Sequence, residues 1–311
     1  MKPNNNNLDP LLPPEIAKKA EDVGVYKASS PPLQSFILAL TAGVFISIAF
    51  VFYITVTTGA GGLPWGMARF IGGLAFSLGL ILVVICGGEL FTSSVLTTVA
   101  RASRRIGWGQ LARNWVIVYL GNLGGALLLV LLIWLAGQHL AADGAWGLNT
   151  LNIARHKLHH GFVQAVALGV LCNMMVCLAV WMTFSCRSNT DKVLVMLLPI
   201  SMFVASGFEH SIANLFILPL AIAIQQFAGP EFWALTGALP ADFAELTLAN
   251  FLLRNLLPVT LGNIIGGGVL VGLSYWLIYL RQTPPAKSES GADDAATAAP
   301  AGGRAADARR S

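Results

Sequence analysis

Two short stretches interrupt long apolar runs with residues that such runs normally exclude. The first reads Gly87-Gly88-Glu89-Leu90-Phe91-Thr92, the second Gly207-Phe208-Glu209-His210-Ser211. An ionisable side chain at bilayer depth costs at least about 2.5–3.5 kcal/mol on insertion scales, so it faces a cavity or a polar partner. Glu89 and Glu209 are expected to tie down backbone N–H groups freed at a helix break, because two carboxylates on a permeation path would repel an anion. His210 is the one histidine within an apolar run. Beside a glycine-containing break it reads as a working group, since imidazole takes up and releases a proton near neutral pH. Thr92 and Ser211 each fit the start of a half-helix, whose free N–H groups and positive dipole end suit an anion.

Phe76 and Leu80 share a helix face, as do Phe203 and Gly207. In a channel such apolar groups form constrictions that exclude hydrated ions. The cluster Arg155-His156-Lys157-Leu158-His159-His160 has no acidic or cysteine neighbour. It reads as a basic vestibule that concentrates anions, not as a metal site. The four cysteines, 86, 172, 177 and 186, form no Cys-x-x-Cys pair, and no phosphate loop, nucleophile elbow or metal signature occurs. No metal, cofactor or enzymatic chemistry is therefore expected.

The elements that must position these groups are membrane-spanning helices. Of 311 residues, 55% are hydrophobic and 11% charged, against about 25% charged in a soluble domain. A net charge of +4 without a basic, aromatic-interleaved stripe also argues against a nucleic-acid partner. Six stretches reach the ~20 apolar residues that a span needs: roughly 33–57, 69–100, 111–136, 162–186, 192–226 and 254–280. The second and fifth are too long for one straight span and contain the two breaks. With both termini cytoplasmic, 15 of the 19 Lys and Arg residues lie inside, and only Arg69, Arg155, Lys157 and Arg254 lie outside. Residues 1–32 lack the apolar core of a cleavable signal and contain a short amphipathic helix over 14–24, stopped by Gly24. Residues 33–281 are expected to form the channel domain, and the Ala-, Pro- and Gly-rich residues 282–311 a disordered cytoplasmic tail.

The spans repeat. Arg113-Asn114, Gly121-Asn122 and Gly125 recur at the same spacing as Arg254-Asn255, Gly262-Asn263 and Gly266. The two breaks also correspond, and Ala42-Gly43-Val44 echoes Leu168-Gly169-Val170 more weakly. Three spans per repeat force the halves into opposite orientations, and matching broken helices in inverted repeats point to a permeation or binding site. The Gly-x-x-x-Gly pairs at 121–125 and 262–266 are expected to pack helices closely.

On Thr41–Thr55, Cys86–Val95, Trp108–Asn122, His156–His160, Phe208-Glu-His-Ser-Ile-Ala-Asn214 and Pro258–Gly267, the sequence closely resembles the formate channels of the formate/nitrite transporter family. The resemblance implies an all-α, aquaporin-like six-helix protomer of two inverted three-helix repeats with broken second and fifth helices, assembled as a homopentamer in a bacterial inner membrane. It implies that Leu90, Phe91 and Thr92 form the mobile part of the first break. Phe76, Leu80, Val176 and Phe203 match the family's apolar constrictions, and His210 its central histidine. Asn173 and Asn263 match polar pore residues, and Lys27 and Lys157 match anion-attracting lysines. Glu89 stands where the family's formate channels tend to carry aspartate.

The function implied is passage of formate and similar small monovalent anions, with proton transfer at His210 removing the charge in the apolar throat. The alternative is a nitrite or hydrosulfide channel of the same family. A water or glycerol channel predicts two Asn-Pro-Ala motifs, which the sequence lacks.

Overall fold

The computed structural model describes residues 10–281; the expectation for the tail, and the first nine residues, lie outside them. The described residues contain helices and no strand. Helix α1 (Pro13–Ser29) precedes α2 (Pro32–Thr57) and α3 (Trp65–Leu82), which widens into a π turn at Val83–Gly87. After the first break, α4 runs over residues 91–102 with a 3-10 turn at Val95–Thr97. Next come α5 (Trp108–Leu135), the short α6 (Ala145–Leu158) and α7 (Phe162–Thr183). The fifth span is two 17-residue helices, α8 (Asn189–Ala205) and α9 (Ser211–Phe227), with the second break between them. Helix α10 (Pro230–Thr236) turns away from α9 by 106°. The last helix, α11, covers residues 248–279 and includes π stretches at Phe251–Leu256 and Ile264–Leu273. Pro258 explains the first stretch: it has no N–H to donate and its ring crowds the carbonyl four residues earlier, so the preceding turn widens.

Helices α2, α3, α5, α7 and the α11 region are each long and apolar enough to cross a membrane. Their exposed faces are apolar, with Leu131, Leu132, Leu253 and Ile278 all more than half exposed, as lipid or a partner subunit requires.

One expectation fails at α1. Gly24 does not stop the helix, which continues to Ser29. A Cβ there would lie 3.0 Å from that of Ala100, so Gly24 is the point where α1 lies against α4. Arg113 donates to Ala28 O (2.9 Å), Ser185 Oγ to Leu11 O (3.0 Å), and Arg105 pairs with Asp22. The chain turns only at Pro31-Pro32.

Each repeat is held together internally by equivalent bonds. Asn122 Nδ2 donates to Ala39 O and Glu89 O while its Oδ1 accepts from Phe91 N. Asn263 Nδ2 donates to Gly169 O and Glu209 O while its Oδ1 accepts from Ser211 N. Glu89 N donates to Leu38 O and Glu209 N to Leu168 O. These pairs set the register of the first and fourth spans: Leu38 corresponds to Leu168 and Ala39 to Gly169. The weaker echo of residues 42–44 in 168–170 is therefore displaced by one helical turn. Tyr119 and Thr260, the same position in the two repeats, hydrogen-bond each other at 3.0 Å, which puts the pseudo-twofold axis between them. The Gly-x-x-x-Gly pairs do permit close packing. A Cβ on Gly125 would overlap Leu40 O and one on Gly266 would overlap Val170 O.

Candidate functional site

Both breaks begin at a left-handed glycine, Gly87 (φ 86°) and Gly207 (φ 76°), a backbone conformation costly for any residue with a Cβ. The chain then runs extended and re-enters a helix. The second half-helix starts at Ser211, as expected, and the first at Phe91, one residue before Thr92, with Leu90 and His210 as the N-caps of α4 and α9. The first N–H of each half-helix does not face open space, because Asn122 and Asn263 accept it.

His210 is buried and held at both nitrogens. Nδ1 accepts from Ala213 N and Nε2 lies 3.0 Å from Thr92 Oγ1. An acceptor at Nδ1 leaves the proton of the neutral ring on Nε2, which therefore donates to Thr92 Oγ1. The ring stacks on Phe203, centroids 6.0 Å apart, and Phe203 meets Phe76 edge-on at 6.0 Å. Thr92 is fixed in turn: its carbonyl accepts from Asn173 Nδ2 (3.0 Å) and Cys177 Sγ (3.2 Å).

Three cavities line up through this point. One, about 260 Å³, is bordered by Tyr53, Arg69, His156, Lys157, Phe76, Phe203 and His210. A second, about 190 Å³, is bordered by Lys27, Val83, Ser93, Leu96, Val180 and Phe184, under α1. Between them is a chamber of about 10 Å³, walled by Ile46, Phe76, Leu80, Leu90, Val176, Ile200, Phe203 and His210. That is room for about one water. Phe76, Phe203 and His210 are shared with the first vestibule, so they form its floor. Leu80, Leu90 and Val176 close the chamber towards the second.

Not every expected residue lines this path. Phe91 turns instead against Tyr119 and Trp115, with centroids 4.9 and 6.1 Å away. Asn173 and Asn263 border none of the three cavities; they position Thr92 and Ser211 from behind. The glutamates bind side chains rather than the backbone N–H groups expected of them. Glu89 accepts from Ser35 and Asn114 at 3.3 Å each. Glu209 accepts from Asn214 (2.7 Å), Asn255 (3.3 Å) and Lys157 (2.9 Å). Lys157 is thus ion-paired and only 13% exposed. Lys27 is half-buried beside Ser94 Oγ (3.5 Å), its ammonium pKa pulled down by burial against the opposing pull of Glu89.

Ile46, Ile200 and Arg69 were not singled out in the sequence. Ile200 lies three residues before Phe203, on the same helix face, and that spacing is the one signal that could have found it. Outside the spans, His156 is held below its ordinary pKa by burial and by His160, Lys157 and Arg69, with Glu209 opposing.

Spans in two opposed repeats, two of them broken around one shared chamber between vestibules, define a membrane transport protein. The family model for formate/nitrite transporters matches residues 14–277, and the chain belongs to that family. It is 63% identical over 278 residues to the formate channel FocA of Escherichia coli (strain K12), covering 89% of this chain and 98% of that one. The Haemophilus influenzae formate channel FocA is 51% identical, with 85% and 93% covered. A solved structure described as a pentameric formate channel with formate bound matches with a TM-score of 0.77 at 60% identity, covering 80% of this chain and 98% of the other. An FNT family ion channel matches at 0.72 and 28% identity, covering 87% and 99%.

Proposed function

We propose that the protein is a formate channel of a bacterial inner membrane, passing formate and similar small monovalent anions through one pore in each protomer of a homopentamer. The observation that carries this is the 63% identity to a formate channel across nearly its whole length, together with a single polar group, His210, in an otherwise apolar chamber. In this reading the vestibule at Lys157 is external, that at Lys27 is cytoplasmic, both termini are cytoplasmic, and the aquaporin-like arrangement places the chamber mid-membrane. Formate enters from a positively charged vestibule and meets Phe76 and Phe203. A bare charge is penalised in the chamber, so His210, once a proton from the acidic side has been taken up at Nδ1, gives one proton to formate, returns to the neutral ring and lets the species pass as neutral formic acid. Leu80, Leu90 and Val176 form the second constriction, and Lys27 receives the anion on the other side.

The test is flux into proteoliposomes with formate, nitrite, hydrosulfide and glycerol across pH gradients. Formate is expected to move fastest, with uptake favoured by external acid. Faster nitrite or hydrosulfide flux would reassign the substrate. A reporter fused after Ser311 is expected to be cytoplasmic and one near Trp146 periplasmic; the same side for both would refute the six-span topology.

A further inference from the structure

We infer that Arg69 is a carboxylate-capture site in the vestibule above Phe76 and Phe203, the first protein group to bind the permeating anion on that face. The inference rests on the proposed formate transport and names the residue that recognises the substrate.

The argument starts from the charges on the vestibule wall: Arg69, His156, Lys157 and Glu209. Lys157 and Glu209 pair at 2.9 Å and cancel. His156 is held neutral near pH 7 by its surroundings. Nearby Arg155 points elsewhere: it donates to Asn152 Oδ1 and Asp242 O and lies over the Phe243 ring. Arg69 remains as the uncompensated cation, since it makes no ion pair among the described residues.

Its geometry suits capture. Nε donates to Ala205 O at 2.9 Å, which anchors the guanidinium to the last turn of α8. Nη2 would lie only 2.8 Å from a Cβ on Gly207 and Cζ 4.0 Å, so the Nη2 end of the guanidinium abuts the left-handed turn of the second break, in space that a side chain there would fill. The Trp65 ring, centroid 5.8 Å from Cζ, flanks it. With Nε occupied, the Nη1–Nη2 edge remains as a planar pair of donors, the arrangement that matches two carboxylate oxygens. Arg69 also borders a neighbouring cavity lined by Thr57, Leu63 and Trp65. It therefore stands between the outer approach and the vestibule floor, within the same cavity as His210.

The experiment compares wild type, Arg69→Gln and Arg69→Lys in vesicles of uniform orientation, recording the flux of isotopically labelled formate applied to either face. With formate on the Arg69 face, Arg69→Gln is expected to raise the apparent KM about threefold to tenfold, the scale of focusing by one vestibule charge, with maximal flux within about twofold. Arg69→Lys, which keeps the charge but not the planar pair of donors, is expected to recover only part of the affinity, and the KM difference to shrink at high salt. Formate on the opposite face is expected to give unchanged KM in both variants. An unchanged KM in Arg69→Gln or an equal rise from both faces would overturn the inference; the second would make Arg69 only a tether for α8. If Arg69→Gln fails to assemble, Ile153→Glu decides. It leaves Arg69 in place and sets a carboxylate on the same wall, and it is expected to raise KM on that face alone; no change would refute capture. Absence of formate flux in wild type would instead sink the formate assignment.

Discussion

His210→Asn separates the two jobs of the central imidazole. As an N-cap, Nδ1 accepts from Ala213 N at 3.0 Å; asparagine is an equally good cap, so folding stability is expected to change by less than about 0.5 kcal/mol. As a proton carrier, the residue is lost altogether. The proton on Nε2 can pass to formate only if Nδ1 first gains one, which forfeits the cap, at a cost of about 1 kcal/mol. In water the transfer from an imidazolium near 6.5 to a carboxylate near 4 is uphill by about 2.5 units, or roughly 3.4 kcal/mol. Desolvation must therefore supply about 4–5 kcal/mol, which lies within the several kcal/mol per ion that burying charge costs in proteins. A chamber with room for about one water provides that setting, because an anion entering it leaves its hydration shell behind. The assay records formate-evoked current and internal pH together in reconstituted vesicles. His210→Asn is expected to lose acid-driven uptake while still passing formate as an anion down its own gradient, so its proton-to-formate ratio falls towards zero. Equal ratios in wild type and a folded, oligomeric variant would refute the shuttle and leave His210 as cap and hydrogen-bond donor. His210→Ala supplies the contrast: it loses the cap as well, and its melting temperature is expected to drop by the equivalent of about 1 kcal/mol.

Phe76→Ala or Phe203→Ala opens the floor of the first vestibule and is expected to reduce discrimination between formate and larger carboxylates; unchanged selectivity in both would return these rings to ordinary packing. Asn122→Ala and Asn263→Ala each remove three buried hydrogen bonds around a break. Each is expected to destabilise the fold by about 3–5 kcal/mol, read as lost oligomer on size exclusion in detergent. His156, held below its ordinary value by burial, His160, Lys157 and Arg69 against the pull of Glu209, is neutral at pH 7 and gains a proton only as pH falls below about 6.5. Acidifying that face is expected to lower the KM for formate by adding a charge to the vestibule, and His156→Gln to remove this component. The same depressed value costs stability on acidification, because the unfolded chain binds the proton first. His156→Gln is therefore expected to lose less thermal stability between pH 7 and 5 than wild type.

The spans and breaks were legible because they rest on composition and local chemistry. A charged residue beside glycine in an apolar run has few structural explanations, and Asn122 and Asn263 stood at equal spacing in the two repeats. What was not legible depends on partners distant in sequence. Lys157 reads as a free cation until the fold brings Glu209, 52 residues later, to 2.9 Å. Arg69 reads as one of four scattered outside charges until the Ala205 carbonyl, 136 residues away, anchors it. Phe91 sits between Leu90, which walls the chamber, and Thr92, which borders none of the three cavities but hydrogen-bonds His210, and the turn into α4 sends its ring to Tyr119. Gly24 resembles a helix stop because glycine serves both as a stop and as a close-packing residue, and only the position of Ala100 decides between them.

The corrected repeat register also separates scaffold from chemistry. The chamber is walled by three pairs of equivalent residues: Ile46 with Val176, Leu80 with Ile200, and Leu90 with His210. Such pairing requires the chamber to lie on the pseudo-twofold axis, where Tyr119 meets Thr260. The polar ties around each break obey the same symmetry, with Asn122 and Asn263, Asn114 and Asn255, Glu89 and Glu209 in matching roles. Departures from symmetry are few. Two of the three wall pairs are apolar in both members; the third keeps leucine at one break and has an imidazole at the other. Phe76 and Phe203 border the chamber on one side, and there is no matching aromatic pair towards Lys27. Lys157 neutralises Glu209, while Lys27 has Ser94 as its hydrogen-bonding partner and Glu89 is held by an amide and a hydroxyl. A symmetric apolar chamber with symmetric breaks would hinder a charged species equally from both faces and offer it no proton. The replacement of one wall leucine by His210, hydrogen-bonded to Thr92 of the opposite repeat, puts the one titratable group of that barrier where the proposed proton transfer needs it.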